Sequence, residues 1–341
     1  MKENTKKFAI PMPVRYLINA LLLVAFLVIG NLITGGVLNR AQNQVVIQAG
    51  YFIILAVSLN LVTGYLGQLP LGHAGFMAVG AYAATIFWRS GLLSGQFSVI
   101  VGIALAGLVA ALFGLLIGIP ALRLRGDYLA IITLGFGEII RSVIINVPRL
   151  TGGAQGLSYL PRYSSFLVVY ICVIITCASI HMLMKSKHGR AILSIRDNEI
   201  AAESCGVNTT YYKVMAFVVS AFFAGIAGAL FAGNFTILMP DTSDFMMSIN
   251  ILMMVVLGGM GSMIGSVISA SILTSLPLVM QFLNEYRMII FAIMLIIVMI
   301  FKPTGLMGNY DFSLSRILEK TINWCKTKKA GKAGKNHGND T

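Results

Sequence analysis

Seven stretches of the chain, residues 16–34, 45–63, 69–88, 97–121, 128–147, 166–184 and 214–235, are apolar almost without interruption. Each holds about 20 residues, which as an α-helix rising about 1.5 Å per residue matches the roughly 30 Å hydrocarbon core of a bilayer. Inside lipid every backbone N–H and C=O must find a partner within the chain, so only helices and closed barrels cross. Barrel strands alternate polar and apolar residues, and these stretches do not. Charged residues make up 11% of the 341 positions and hydrophobic ones 57%, against about 25% charged in a soluble domain. A soluble enzyme, a disordered chain and a porin-like barrel are excluded. The expected class is an all-α polytopic membrane protein.

The first stretch follows Lys2, Lys6, Lys7 and Arg15, as a secretory signal would. It exceeds the roughly 7–15 apolar residues of a signal, and no small-residue cleavage site follows it. It reads as an uncleaved first span. Residues 246–301 are apolar but broken by Gly258, Gly259, Gly261, Gly265, Pro277 and the polar trio Asn284, Glu285 and Arg287, and they hold two or three spans. Charge separates the two counts. With three, the chain has ten spans, and nineteen of its 25 Lys and Arg residues fall on the cytoplasmic side, as the positive-inside rule requires. With two, the basic tail falls outside. The expectation is about ten transmembrane helices, within a range of eight to ten because individual spans can be short or re-entrant. Residues 1–15 form a cytoplasmic N-terminal segment, 16–301 the transmembrane domain with a long cytoplasmic connector at 185–213, and 302–341 a basic cytoplasmic tail. The net charge of +13 is then a topological signal and implies no nucleic-acid partner. The Lys-rich tail is a solvated end within reach of anionic membrane lipid. Cys172 and Cys177 share one apolar run, Cys205 and Cys325 lie in basic segments, and no CxxC pair exists. They read as filler rather than as disulfide or metal sites.

Glycine, with 35 residues, is concentrated in a few places. The pattern L-G-x-x-G-x-M occurs at Leu71–Met77 and again at Leu257–Met263. Gly72, His73, Gly75, Gly258, Gly259 and Gly261 thereby become candidates for a translocation path, because glycine-interrupted helices in the two halves of a transporter often flank its substrate. Close helix packing through small residues is the competing reading. Neither cluster is a nucleotide site: Ile264 stands where a third Rossmann glycine belongs, and no P-loop pattern occurs. Glu138 and Arg141 fall three apart in the fifth stretch, on one helix face. Isolated charges at mid-bilayer cost roughly 3 kcal/mol, so the two are expected to pair and either to line the path or to snorkel. His73 reads as a structural hydrogen-bonding group before a proton relay.

The connector carries both signs of charge. Within Gly189–Asn208, Asp197 is suited to begin a short amphipathic helix, Glu199 and Glu203 to form its acidic face, and Gly206 to close it. Such a helix is either a solvated connector or a docking element for a cytoplasmic partner.

Here the residues resemble a known family. The connector is similar to the coupling segment of ABC-transporter permeases, whose pattern is E-A-A-x-x-x-G: Ala201, Ala202 and Gly206 match, while Ile200 stands in place of Glu and the downstream I-x-L-P is absent. Residues 64–80, 122–141, 151–157, 189–207, 256–264 and 302–308 together resemble the LivM-type permeases of branched-chain amino acid ABC importers, across roughly residues 15–308. The resemblance implies a multi-pass inner-membrane subunit that pairs with a LivH-like permease, two cytoplasmic ABC ATPases and an extracytoplasmic amino-acid-binding protein. It implies leucine, isoleucine or valine as substrate. ATP is then bound by the partner subunits, with no cofactor or metal in this chain. It further implies that Gly189, Arg190, Arg196, Asp197, Glu199, Ala201, Ala202, Glu203 and Gly206 couple to an ATPase. Ala201, Ala202 and Gly206 would allow close seating, and Arg196, Asp197, Glu199 and Glu203 would give polar contacts around it.

Three alternatives stay open at this level. A urea or short-chain amide permease would look similar. An ion-coupled secondary transporter needs intramembrane ionisable groups, for which Glu138, Arg141 and His73 are the candidates. A membrane enzyme needs paired carboxylates, and only Asp241 with Asp244 qualifies.

Overall fold

The computed structural model describes residues 27–34, 36, 39–91, 95–122, 124, 126–158 and 163–279, together with 286, 289, 293, 296, 300 and 305. Two units are distinguished. In the first, Met1–Val37 with Asp311–Thr341, residues 27–34 and 36 are helical. The second, Leu38–Tyr310, contains everything that follows. The expected N-terminal segment 1–15, Arg123, Arg125, most of residues 280–301 of the last apolar stretch, Cys325 and the basic tail lie outside the described residues; within 302–341 only Gly305 is described.

Ten helices of this unit are labelled in chain order: α1 Arg40–Asn60, α2 His73–Arg89, α3 Gln96–Ala121, α4 Asp127–Asn146, α5 Phe166–Lys185, α6 Lys187–Asp197, α7 Glu199–Ser204, α8 Thr209–Ala232, α9 Phe245–Gly258 and α10 Met263–Val279. Five helical segments are long and apolar enough to cross a membrane: Arg40–Tyr65, Phe97–Ala121, Asp127–Asn146, Phe166–Lys185 and Thr209–Ala232. Each coincides with an apolar run of the sequence. Polar side chains mark where several helices begin. The side-chain oxygens of Ser165, Ser186, Asn198, Asn208 and Asp244 accept first-turn N–H groups of α5, α6, α7, α8 and α9, satisfying donors that a helix start otherwise leaves unpaired.

α1 is the central helix. Tyr51, Ile54, Leu55 and Leu59 are wholly buried, and α5, α8, α9 and α10 pack around it. α8 fills the space between α1, α2 and α3. Its small face allows this: a Cβ on Gly225 would lie 2.5 Å from the Ala106 carbonyl oxygen of α3, and one on Gly228 would collide with the backbone of Met77 on α2. α3, α4 and α5 are peripheral. Leu108, Leu112 and Leu116 form an exposed stripe on α3, and Leu167, Ile171 and Ile175 another on α5. Apolar surface of that kind is covered by lipid in a membrane protein.

The apolar stretch 69–88 is not a helix throughout. A π-helical turn, Leu61–Tyr65, ends α1, and residues 66–72 are non-helical before α2 begins at His73. Pro70 lacks an N–H and favours an extended predecessor. Gly72 backs onto the Thr133 carbonyl, and Thr133 lies about 10 Å along α4 at 1.5 Å per residue. α2 therefore starts inside the bundle rather than at its edge. At the end of α8 opposite α6 and α7, Leu157–Ser158 (β1) pairs antiparallel with Ile237–Leu238 (β2), in register Leu157↔Leu238 and Ser158↔Ile237.

Candidate functional site

The candidate path residues fall into two places. The first is a narrow crevice where α2 and α9 both begin, lined by Leu71, Gly75, Leu134, Glu138, Asp244 and Ser248. The Leu71 N–H donates to Thr133 Oγ1 at 3.0 Å, and the Ala74 N–H donates to Ser248 Oγ at 3.2 Å. A Cβ on Gly75 would lie 3.0 Å from the Gly137 Cα. Two helix N-termini with their positive ends thus meet next to carboxylates. Asp244 is committed to capping α9 through the Met247 N–H at 2.9 Å. Arg141 bonds Glu138 at 3.4 Å, as the sequence spacing predicts, and also Asp241, which the spacing does not predict. The Asp241–Asp244 pair is thus divided between an ion pair and a helix cap. His73 is buried, and its Nε2 shares a 3.0 Å hydrogen bond with Ser58 Oγ. The Ser58 carbonyl in turn accepts from Ser220 Oγ at 2.6 Å. His73 is held as a clasp between α1 and α2, in keeping with its structural reading.

The second place is the other end of α9, about 20 Å away for a 14-residue helix. Gly258 packs on Gly265, where a Cβ would lie 2.5 Å from the carbonyl carbon. Gly259-Met260-Gly261 turns the chain into α10 beside the π-helical end of α1. Asn60 joins the two: its Oδ1 accepts the Gly261 N–H at 2.9 Å and its Nδ2 donates to the Ser262 carbonyl at 3.0 Å. Gly261 has φ +87, a conformation that a side chain would penalise by about 1 kcal/mol or more. Both readings of glycine therefore apply, at different positions. Gly72, Gly75 and Gly258 permit close packing, and Gly261 permits a break.

The connector holds two helices where one is expected. α6 begins at Ser186, whose hydroxyl accepts from the His188 and Gly189 N–H groups. It packs Gly189, Ile192 and Ile195 inward. A side chain at Gly189 would strike the Met184 backbone at the end of α5. Asp197 ends α6 rather than beginning the next helix. Asn198 is the cap, accepting the Ala201 N–H at 3.1 Å, because it and not Asp197 is the extended residue between the two helices. Gly206 closes α7 as expected, at φ +84. The Gly206 N–H donates to the Glu203 carbonyl at 2.9 Å and the Val207 N–H to the Ala202 carbonyl at 3.1 Å, the two bonds of a left-handed helix stop.

Of the connector residues, Arg190, Asp197, Ala201, Glu203 and Gly206 are exposed, whereas Gly189 and Ala202 are buried. Arg196 reaches back to the Gly64 carbonyl at 3.3 Å. Glu199 pairs with Lys213 at 2.8 Å, and that lysine is 3% exposed. Ala202 and Glu199 thus face their own chain, whereas Arg196 is exposed along its side chain while one arm of its guanidinium reaches inward. Lys213, Asn60 and Asp241 are the partners that sequence reasoning misses. Asn60 carries a signal, as an amide inside an apolar run. Lys213 is indistinguishable from an ordinary flanking charge. Ile200, 67% exposed on α7, adds an apolar tip to the outward face.

Comparison with known proteins agrees with this architecture. The family model described as the permease component of the branched-chain amino acid transport system matches residues 42–299. The high-affinity branched-chain amino acid transport system permease protein LivM of Salmonella typhimurium (strain LT2) is 35% identical over 79% of this chain and 70% of the relative. LivM of Escherichia coli (strain K12) is 36% identical over 75% of this chain and 67% of the relative. The permease protein LivH of the same E. coli strain is 24% identical over 80% of this chain and 96% of the relative. No solved structure matches. With the family model covering α1 to α10 and relatives of this kind beside it, the chain is a multi-pass membrane protein that belongs to the branched-chain amino acid transport system permease family.

Proposed function

We propose that this chain is a permease subunit of an ATP-driven importer that carries leucine, isoleucine and valine across the inner membrane. The observation that carries the reading is the family match over residues 42–299, joined by relatives whose names specify branched-chain amino acid transport. The subunit pairs with a LivH-like permease, and two cytoplasmic ATPases supply the hydrolysis, so that this chain itself is no enzyme and holds no cofactor. A binding protein delivers substrate from outside. The α6–α7 pair is the coupling element, with Ile200, Ala201 and Glu203 presented to an ATPase. Their exposure at one end of the bundle supports this assignment. Ten spans with both termini in the cytoplasm fit the charge distribution, with residues 1–15 and 302–341 as cytoplasmic ends.

The crevice at the start of α2 and α9 is the proposed substrate route through this subunit. Helix N-termini suit an amino acid's carboxylate, and Glu138 suits its ammonium group. The test is uptake into membrane vesicles containing all co-encoded subunits. Labelled leucine should accumulate only with ATP and should be competed by isoleucine and valine. Competition by urea or short amides instead would reassign the substrate, and uptake driven by an ion gradient without ATP would overturn the importer reading. A reporter active only outside the cytoplasm, fused after Thr341, should stay silent.

A further inference from the structure

The α6 helix is tied to the transmembrane body in two chemically different ways. Ile192 and Ile195 give it an apolar footing, which slides at little cost because such contacts have no preferred direction. Arg196, in its last turn, makes a directed bond. Its Nη1 donates to the Gly64 carbonyl at 3.3 Å, while its Nε and Nη2 donate to Asp197 Oδ1 at 3.3 and 3.2 Å. Asp197 therefore orients the guanidinium, and one arm is left for α1.

The acceptor is no ordinary helical carbonyl. Gly64 belongs to the π-helical turn that ends α1, and a π turn holds one residue more than the α-helix it interrupts, a feature often found at functional sites. Three glycines make room for the arginine and for one another at this point. A Cβ on Gly67 would lie 2.9 Å from Arg196 Cγ, one on Gly64 would lie 2.7 Å from the Gly261 Cα, and one on Gly261 would lie 3.6 Å from Arg196 Nη1. Asn60, one residue before the π turn, holds Gly261 and Ser262 by two hydrogen bonds. The chain of contacts is continuous: α6, Arg196, the π turn, Asn60, the α9–α10 break. From that break α9 runs as a rigid rod to Asp244 and Ser248 in the crevice.

We infer that Arg196 is a positioning residue for transport, which carries displacement of the α6–α7 pair into the π turn of α1 and the glycine break after α9. The inference rests on the proposed importer function. When a partner moves α7, the guanidinium draws the Gly64 carbonyl with it, and Asn60 passes the shift to Gly261. α9 then tilts about that end, and its far end changes the width of the crevice.

The experiment uses the complete complex of both permeases and both ATPases, reconstituted in liposomes with its binding protein. Leucine taken up per ATP hydrolysed is measured for wild type, R196Q and R196K, along with the ATPase retained on purification. Wild-type uptake establishes the importer reading separately; without it, that reading fails before the arginine is tested. R196Q should keep its ATPases and lower the uptake-to-hydrolysis ratio about tenfold, the scale of one lost charge-assisted hydrogen bond. R196K retains a cation and a donor toward Gly64, and should recover at least half of the ratio. An unchanged ratio in R196Q overturns the inference. Loss of ATPases in R196Q with an unchanged ratio in the complexes that remain overturns it too, by making Arg196 a docking residue. Should R196Q not accumulate, R196A carries the same test, and failure of both to insert would make Arg196 a determinant of folding instead.

Discussion

Gly64 and Gly261, nearly 200 positions apart in the chain, meet so closely that a Cβ on the first would lie 2.7 Å from the Cα of the second. That approach sets the distance between the end of α1 and the α9–α10 break. G64A should therefore destabilise the purified subunit by about 1–3 kcal/mol, as overpacking does, and lower its thermal midpoint. G135A is the control. Gly135 lies on α4, where an added Cβ would meet nothing within 4 Å, and Ala is favoured over Gly in a helix by about 1 kcal/mol. Its midpoint should stay level or rise. Equal loss in both variants would refute the close contact.

The Lys213–Glu199 pair, in which the lysine is buried and the glutamate half-buried, invites a double-mutant cycle. E199Q strands a lysine that is 3% exposed, and removing one partner of a buried ion pair costs about 3–5 kcal/mol. K213M replaces the charge with an apolar chain of similar length and should cost less. The double variant E199Q/K213M should be more stable than E199Q alone. Thermal unfolding that adds up strictly across the two sites would show that α7 is not clipped to α8.

Ala201 and Ala202 are neighbours in sequence but face opposite ways, one exposed and one 5% exposed. A201W should leave the subunit folded and in the membrane while weakening co-purification of the ATPases. A202W should lower the folded yield itself, since overpacking costs about 1–3 kcal/mol. Reversal of the two phenotypes would place the docking face on the other side of α7.

Arg141 serves two carboxylates, Glu138 and Asp241. R141A leaves both without a cation and should be more harmful to leucine uptake than either E138A or D241A. All three groups are partly exposed, so solvent screening holds each pair to about 1 kcal/mol or less in stability. The cycle between positions 138 and 141 should show coupling in uptake, and strict additivity there would show that the bonded pair does not act together.

The helices of this protein are legible in its sequence to the extent that lipid dictates them. A continuous apolar run can satisfy its backbone in only one way, which is why α1, α3, α4, α5 and α8 lie where the runs lie. The rule weakens where the chain is buried in protein. Leu69 and Leu71 are apolar, yet the segment before His73 is not helical, because neighbouring helices accept its polar backbone, as Thr133 does for Leu71. The connector shows the same limit from the polar side. Gly206 marks its end through a local backbone requirement, whereas Gly189 looks like a helix breaker and instead lets α6 approach α5. The site is less legible still. Glu138 and Arg141 are one helical turn apart and announce their pairing. Arg196 finds Gly64, and Asn60 finds Gly261, across more than 130 residues, and no local pattern carries that information.

The short ladder between Leu157–Ser158 and Ile237–Leu238 fastens the connector that follows α4 to the one that follows α8. Leu157 and Leu238 are each 1% exposed, and the Tyr82 hydroxyl of α2 donates to the Leu238 carbonyl at 3.4 Å. Three helices are thus stitched together at the rim opposite α6 and α7. A wedge driven between them there would have to tear a backbone seam. Any displacement of that rim is therefore shared by α2, α4 and α8, because the ladder and the Tyr82 bond tie their ends to one another.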